Sequence, residues 1–126
     1  MMIADTGVLV DFLRGRGEAA RVRREIETRR LCTTAVTAFE LWTGAVGPQQ
    51  LTAVEVLLAA LTILPLDTPG ARRAGEVRRE LDRRGVSIAM ADSLIAGVCL
   101  EHDGTLLTRN RKHFERVAGL RLGLQR

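Results

Sequence analysis

The sequence predicts an α/β protein, a three-layer α/β/α sandwich around a short, mostly parallel central sheet. Short apolar runs of strand length alternate with longer stretches of helical periodicity. Capping residues, glycines and prolines fall at the boundaries between the two kinds of segment. The chain of 126 residues has no internal repeat, linker or low-complexity tract, so residues 1–126 form one domain with a single core.

Met1 to Ala4 is an apolar run ending at Asp5, long enough for a buried strand. Asp5 or Thr6 can cap a short helix from Val8 to Leu13, closed by Gly15 and Gly17. Glu18 to Arg30 follows as a charged helix with Ala19, Val22 and Ile26 facing inward. Leu31 to Thr34 makes a second strand, and Thr34 caps a helix from Ala35 to about Val46 that Gly47-Pro48 ends. Gln49 to Leu61 reads as a mostly apolar helix and Thr62 to Leu66 as a third strand. Asp67-Thr68-Pro69 starts a helix that runs to Arg84, with Ala74, Val77 and Leu81 on its inner stripe and Gly85 as its stop. Val86 to Leu100 reads as a buried helix, ending near His102-Asp103-Gly104. Thr105 to Thr108 is a fourth strand, Arg109 to Lys112 a loop leading to Phe114, and Leu120 to Leu124 a last short strand.

The net charge is +4, and of the 19 basic residues only Lys112 is not an arginine. With a pI near 10.4, that balance permits nucleic-acid binding without establishing it. Cys32 and Cys99 sit in apolar contexts without metal-ligand spacing, as expected of buried, reduced thiols in a cytoplasmic protein. The N-terminus has no basic region or cleavage site of a signal peptide, and no run approaches the ~20 apolar residues of a membrane span.

Three acids stand apart from this charged surface. Asp5 is the only charged side chain between Met1 and Val10, Glu40 the only one between Leu31 and Val54, and Asp92 the only one between Val86 and Leu100. Asp92 would share a helix face with Ile95, Ala96 and Cys99. A carboxylate in such surroundings needs a proton, a partner or a cation. Ligands of an open parallel sheet bind beyond the carboxyl ends of its strands. Asp5, Glu40 and Asn110 fall there, and Asp92 joins them if its helix starts there. Three carboxylates in a poorly solvated cleft suit Mg²⁺ or Mn²⁺ and predict metal-assisted hydrolysis of phosphate esters. A structural role remains open at each position: Asp5 as a helix cap, Glu40 as a partly exposed helix residue, Asp92 as the N-cap of a helix beginning at Ser93.

The ordered stretches MIADTGVLVDFLRG, TTAVTAFELWTGA and SIAMADSLIAGVCLEHDGTLLTRNRKHFERVAGL resemble the PIN-domain ribonucleases, specifically the VapC-type toxins of toxin–antitoxin pairs. That resemblance covers nearly the whole chain. It implies that Asp5, Glu40 and Asp92 coordinate Mg²⁺ or Mn²⁺ and, with Asn110, form the catalytic set. The fourth position is often Asp in the family, so Asn110 would hold a second metal more weakly. Gly7 stands where Asn or Ser is common. The resemblance further implies hydrolysis of an RNA substrate by a metal-activated water, leaving 5′-phosphate and 3′-hydroxyl ends. It also implies a cognate antitoxin whose C-terminal segment fills the groove, and a homodimer.

Thr6, Arg14, Arg109, Arg111 and Lys112 are the candidate substrate-binding residues, because they flank the proposed site with hydroxyl or positive groups. His113, next to the apolar Phe114, is expected to be structural. Trp42 is expected in the core or lining a groove, since aromatic content of 3% argues against base stacking as the main mode. The arginines of the two charged helices are expected on solvated faces, paired with neighbouring acids. Two other readings remain: a catalytically weak RNA-binding or interaction module on the same fold, and a phosphatase of the haloacid-dehalogenase type. The Asp-Thr-Gly after an apolar strand resembles the motif of those phosphatases, but Gly7 occupies the place of their second acid.

Overall fold

The computed structural model describes residues 1–123. Its strands are β1 (Met2–Ala4), β2 (Leu31–Thr34), β3 (Thr62–Leu64), β4 (Thr105–Leu107) and β5 (Arg121–Gly123). Between them run the helices α1 (Thr6–Leu13), α2 (Ala19–Glu27), α3 (Ala35–Gly44), α4 (Gly47–Ala59), α5 (Thr68–Arg83), α6 (Met90–Glu101) and α7 (Arg111–Phe114). The strands form one sheet in the order β3-β2-β1-β4-β5, and every pairing is parallel.

Side chains alternate across the pleat and build two apolar layers. Ile3 and Leu106 point to one face, with Val77, Leu81, Ile95, Val98 and Phe114. Ala4 and Leu107 point to the other, with Val8, Leu9, Val22, Val54 and Leu57. Helix α3 contributes to both layers, through Val36 and Leu41. The predicted three-layer sandwich is the observed one.

Local chemistry fixes the ends of the elements. The Thr34 hydroxyl accepts the N–H of Thr37 at 3.1 Å, and Asp67 accepts that of Gly70 at 3.0 Å, so both predicted caps form. Helix α5 ends in a left-handed Gly85, with Gly85 N–H bonded to the Asp82 carbonyl and Val86 N–H to that of Leu81. At the end of α6 the left-handed residue is Asp103, not the adjacent glycine (φ 53°). Gly104 is needed instead for room, since a Cβ there would lie 2.4 Å from Ile3 Cδ1.

The structure corrects several boundaries. Helix α6 starts at Met90 rather than Val86, because Ala89 is extended and Val86 is spent in the cap of α5. Helix α3 ends at Gly44, and Gly47 opens α4 rather than closing α3. Residues 111–114 form a helical turn where a loop is predicted. Strand β3 stops at Leu64 and β4 at Leu107, while the predicted strand end at Leu124 lies outside the described residues.

The chain order places the site. From β1 it moves outward through β2 and β3, then crosses back to β4 and β5 on the other side of β1. Successive connections therefore diverge at the carboxyl ends of β1 and β4, the topological switch point where an open α/β sheet leaves a crevice. Ala4 pairs in register with Leu107, so Asp5 and Thr108 emerge side by side into it.

Candidate active site

Asp5 closes β1 and caps α1. Its backbone N–H donates to the Leu107 carbonyl at 2.9 Å, one step beyond the last β1–β4 pair. Oδ1 accepts the Thr6 N–H at 2.8 Å and Oδ2 accepts the Thr108 hydroxyl at 2.7 Å. An ordinary N-cap side chain reaches the second or third helical N–H, whereas Asp5 bonds the first and turns its other oxygen into the crevice. The residue is 3% exposed. Burial raises its pKa, the bonds from Thr108 and Thr6 pull it down, and the charges of Asp92 and Glu40 push it up again.

Glu40 sits half-buried on α3, and its Oε1 accepts the Thr6 hydroxyl at 2.6 Å. The Thr6 and Thr37 hydroxyls are 3.1 Å apart. Thr6 has one hydroxyl proton, so while it donates to Glu40 it accepts from the buried Thr37 hydroxyl. Thr6 thus orients one acid through its side chain and a second through its backbone.

Asp92 is the third residue of α6, whose N-cap Ala89 makes no side-chain bond, so the reading of Asp92 as a cap before Ser93 does not hold. Its side chain is 22% exposed, with Oδ2 3.7 Å from Nδ1 of His113. Burial raises its pKa first, His113 lowers it, Glu40 raises it, and Arg116 lowers it slightly. His113, expected to be structural, is exposed and faces this acid.

Asp5, Glu40 and Asp92 therefore act on one another electrostatically across three separate elements. They do not form a ready-made cage: among the described residues no three His, Cys, Asp or Glu side chains group closely enough to enclose a metal. Glu40 is turned to Thr6 and Asp92 to His113. Mg²⁺ does not require a cage, since it keeps several waters and is commonly held by one or two carboxylates with substrate phosphate oxygens. An all-oxygen, partly open donor set of this kind fits such an ion.

The remaining predicted residues divide. Asn110 lies just past Thr108, whose Oγ1 accepts its backbone N–H at 2.9 Å, but the Asn110 side chain is exposed and makes no capping bond. Arg109 lies over α1, with Nη1 3.2 Å from Oδ1 of Asp11. Arg111 donates to the Gly123 carbonyl at 3.4 Å, which holds it against β5, while Lys112 is exposed. Arg14 shares with Glu40 a groove of about 250 Å³ between α1, α3 and α4. Trp42 is 41% exposed and belongs to neither core layer.

Sequence reading missed Thr37 and Thr108, and it named His113 without placing it against Asp92. A signal for Thr108 existed: a polar residue closes the apolar run TLLT just as Asp5 closes MMIA. Cys32 is half-buried rather than buried, while Cys99 is buried and its thiol is pushed up to about 12 by burial and then by the charge of Asp5.

The raised acids make a stability prediction. A carboxyl with a raised folded pKa keeps its proton where the unfolded chain has lost it. Metal-free stability therefore falls as pH rises from the ordinary value of 3.8 through the raised folded values, and the destabilisation is complete above them. Asp92→Asn is expected to raise the metal-free Tm at neutral pH by on the order of 2 °C and to give no gain near ~pH 3. A Tm lowered at both pH values in calorimetry would show instead that the Asp92 carboxylate anchors the fold.

Fold and site together define an α/β protein with acids from three elements near the switch point of a parallel sheet. The chain belongs to the PIN-domain family, whose model matches residues 2–120. It is 32% identical over 122 residues to the tRNA(fMet)-specific endonuclease VapC of Salmonella typhimurium, covering 94% of this chain and 92% of that one. It is 31% identical over 116 residues to ribonuclease VapC19 of Mycobacterium tuberculosis, covering 90% and 92%. The crystal structure of DNA-bound VapBC from Salmonella typhimurium superposes with a TM-score of 0.88 at 30% identity, covering 97% of this chain and 96% of that one.

Proposed function

We propose that this chain is a metal-dependent endoribonuclease and the toxin of a type II toxin–antitoxin pair, acting on RNA in the cytoplasm. The observation that carries the reading is geometric: Thr6 bonds both Asp5 and Glu40 at the switch point of a PIN domain, with Asp92 near enough for the three charges to be felt together. Mg²⁺ or Mn²⁺ would be held by these three acids, and when bound would activate water and neutralise charge on the phosphodiester. Thr108 and Thr6 fix the Asp5 carboxylate, and Thr6 fixes that of Glu40. Arg14, Arg109, Arg111 and Lys112 supply positive charge for RNA phosphates, and Asn110 offers a neutral oxygen at the rim.

The partner proposed is a cognate antitoxin. Solved relatives include VapBC complexes, and the groove beside Glu40 and Arg14 is lined by Val10, Leu13, Leu41, Ala45 and Val54, which suits an apolar segment. The proposal includes a homodimer, expected to sediment at twice the 13.8 kDa chain mass; a monomer at micromolar concentration removes that part.

The decisive test is cleavage of RNA in Mg²⁺ or Mn²⁺, its loss in EDTA, its return with added metal, and its inhibition by the antitoxin. Undiminished cleavage in EDTA would sink the metal mechanism. The exposed, uncharged Asn110 favours one other reading, an RNA-binding module with weak catalysis. RNA bound but left uncut in metal would select it. The PIN-domain match sets the phosphatase reading aside.

A further inference from the structure

Gly7 is the second residue of α1, with an ordinary helical backbone, so no positive φ calls for glycine there. What occupies the space of its missing side chain is Arg109. A Cβ on Gly7 would stand 2.7 Å from Nε, 3.4 Å from Nη2 and 3.5 Å from Cζ of that guanidinium. One turn further along α1, Asp11 takes the other end, with Oδ1 3.2 Å from Nη1. The Asp11 side chain is 15% exposed and that of Arg109 is 58% exposed. The guanidinium thus packs against the helix, with Nε and Nη2 over Gly7 and Nη1 on Asp11, while the side chain as a whole stays largely exposed.

Its place in the chain ties it to the acids at both ends. Arg109 follows Thr108, whose hydroxyl is bonded to Asp5, and Gly7 follows Thr6, whose hydroxyl is bonded to Glu40. Neither Arg111, bonded to the end of β5, nor the exposed Lys112 is fixed to the helix that carries the first acid. A flexible arginine loses much of its rotamer freedom on binding an anion, whereas one already held presents its fork of donors at little further cost.

We infer that Gly7 and Asp11 form a seat for Arg109, which makes it the substrate-phosphate-binding residue at the lip of the acid cluster. The absent side chain at position 7 is then part of RNA binding. This inference rests on the ribonuclease reading and deepens it.

The test is a two-residue cycle on the full-length protein. Its readouts are binding of a single-stranded oligoribonucleotide in EDTA at several salt concentrations, kcat and KM in Mg²⁺, and Tm. Arg109→Met is expected to weaken binding roughly tenfold, to raise KM more than it lowers kcat, and to reduce the salt slope by about 0.7. Arg109→Lys restores charge without the fork and is expected to recover the salt slope but only part of the affinity. Gly7→Ala, which suits a helix, should keep or raise Tm while weakening RNA binding, because its methyl group displaces the guanidinium. In the Arg109→Met background Gly7→Ala should change nothing further.

Binding by the wild-type chain tests the ribonuclease reading by itself; a wild-type chain that neither binds nor cuts RNA overturns both. With wild-type binding intact, an unchanged KM and salt slope in Arg109→Met overturn the Arg109 assignment alone. An equal loss from Gly7→Ala in both backgrounds overturns the seat.

Discussion

Asp5→Asn is expected to lower kcat/KM for RNA cleavage by about three orders of magnitude, roughly 4 kcal/mol of transition-state stabilisation, with the fold retained. The substitution is nearly isosteric, and its hydrogen bonds can be re-formed. The Asn oxygen can accept the Thr6 N–H, and its amide can donate to the Thr108 hydroxyl, which already accepts the Asn110 N–H. What is lost is one negative charge from a residue 3% exposed, at the centre of the cluster. On the proposed metal-dependent reading a hard divalent cation would lose its most buried ligand, and the repulsion on Asp92 and Glu40 would fall at the same time. Metal-free stability should then hold or rise while the stabilisation that Mg²⁺ confers disappears. Activity within tenfold of wild type, with a normal metal-induced Tm shift, would place the reaction somewhere other than this crevice.

The same electrostatics explain why the three acids could be picked out before any geometry was known. Charge isolation is a property of neighbours in the chain: an acid that must lie in a desolvated crevice is flanked by the apolar residues that make the crevice. Most other acids sit among further charges, and the exposed pairs Arg72–Glu76 and Arg83–Glu80 show such segments meeting solvent. Glu55 marks the limit of the signal: it is the only charged residue between Leu41 and Leu66, yet it is exposed on α4. Strand β2 and the caps Thr34 and Asp67 were legible for a similar reason, since a cap and its N–H partner lie three residues apart.

Contacts between distant segments were not legible. Thr108 and Asp5 are 103 positions apart, and Arg109 and Asp11 are 98 apart, so neither pairing leaves a local pattern. Gly7 shows the difference most plainly. From the sequence it is a missing polar side chain, while in space it is the floor beneath an arginine. The start of α6 was misjudged because Val86 and Ile88 are as apolar as the helix they precede. Ile88 belongs to the core without being helical, and hydrophobicity alone does not separate the two.

A second glycine carries the largest stability prediction. Gly97 lies in the middle of α6 where that helix crosses α5, and a Cβ there would stand 2.5 Å from the backbone nitrogen of Ala74 and 2.7 Å from its Cα. Intrinsic propensity favours Ala over Gly in a helix by up to ~1 kcal/mol, so an exposed site would gain from the change. Here the obstacle is main chain, which cannot swing aside as a long side chain can. The two helices must separate, opening the layer formed by Ala74, Val77 and Leu81 against Ile95 and Val98. Overpacking of this kind costs about 1–3 kcal/mol, enough to outweigh propensity, and Gly97→Val exceeds Gly97→Ala because its added methyls meet the same wall. Gly97→Val is expected to lower Tm by roughly 10 °C. The loss reaches the site as well, because α6 carries Asp92 in its first turn and a displaced helix shifts that acid relative to Asp5 and Glu40. The metal-induced rise in Tm should therefore shrink in Gly97→Ala even after its lower baseline is allowed for. A Gly97→Ala protein more stable than wild type would mean that propensity decides and that α5 and α6 do not approach as closely as the structure has them.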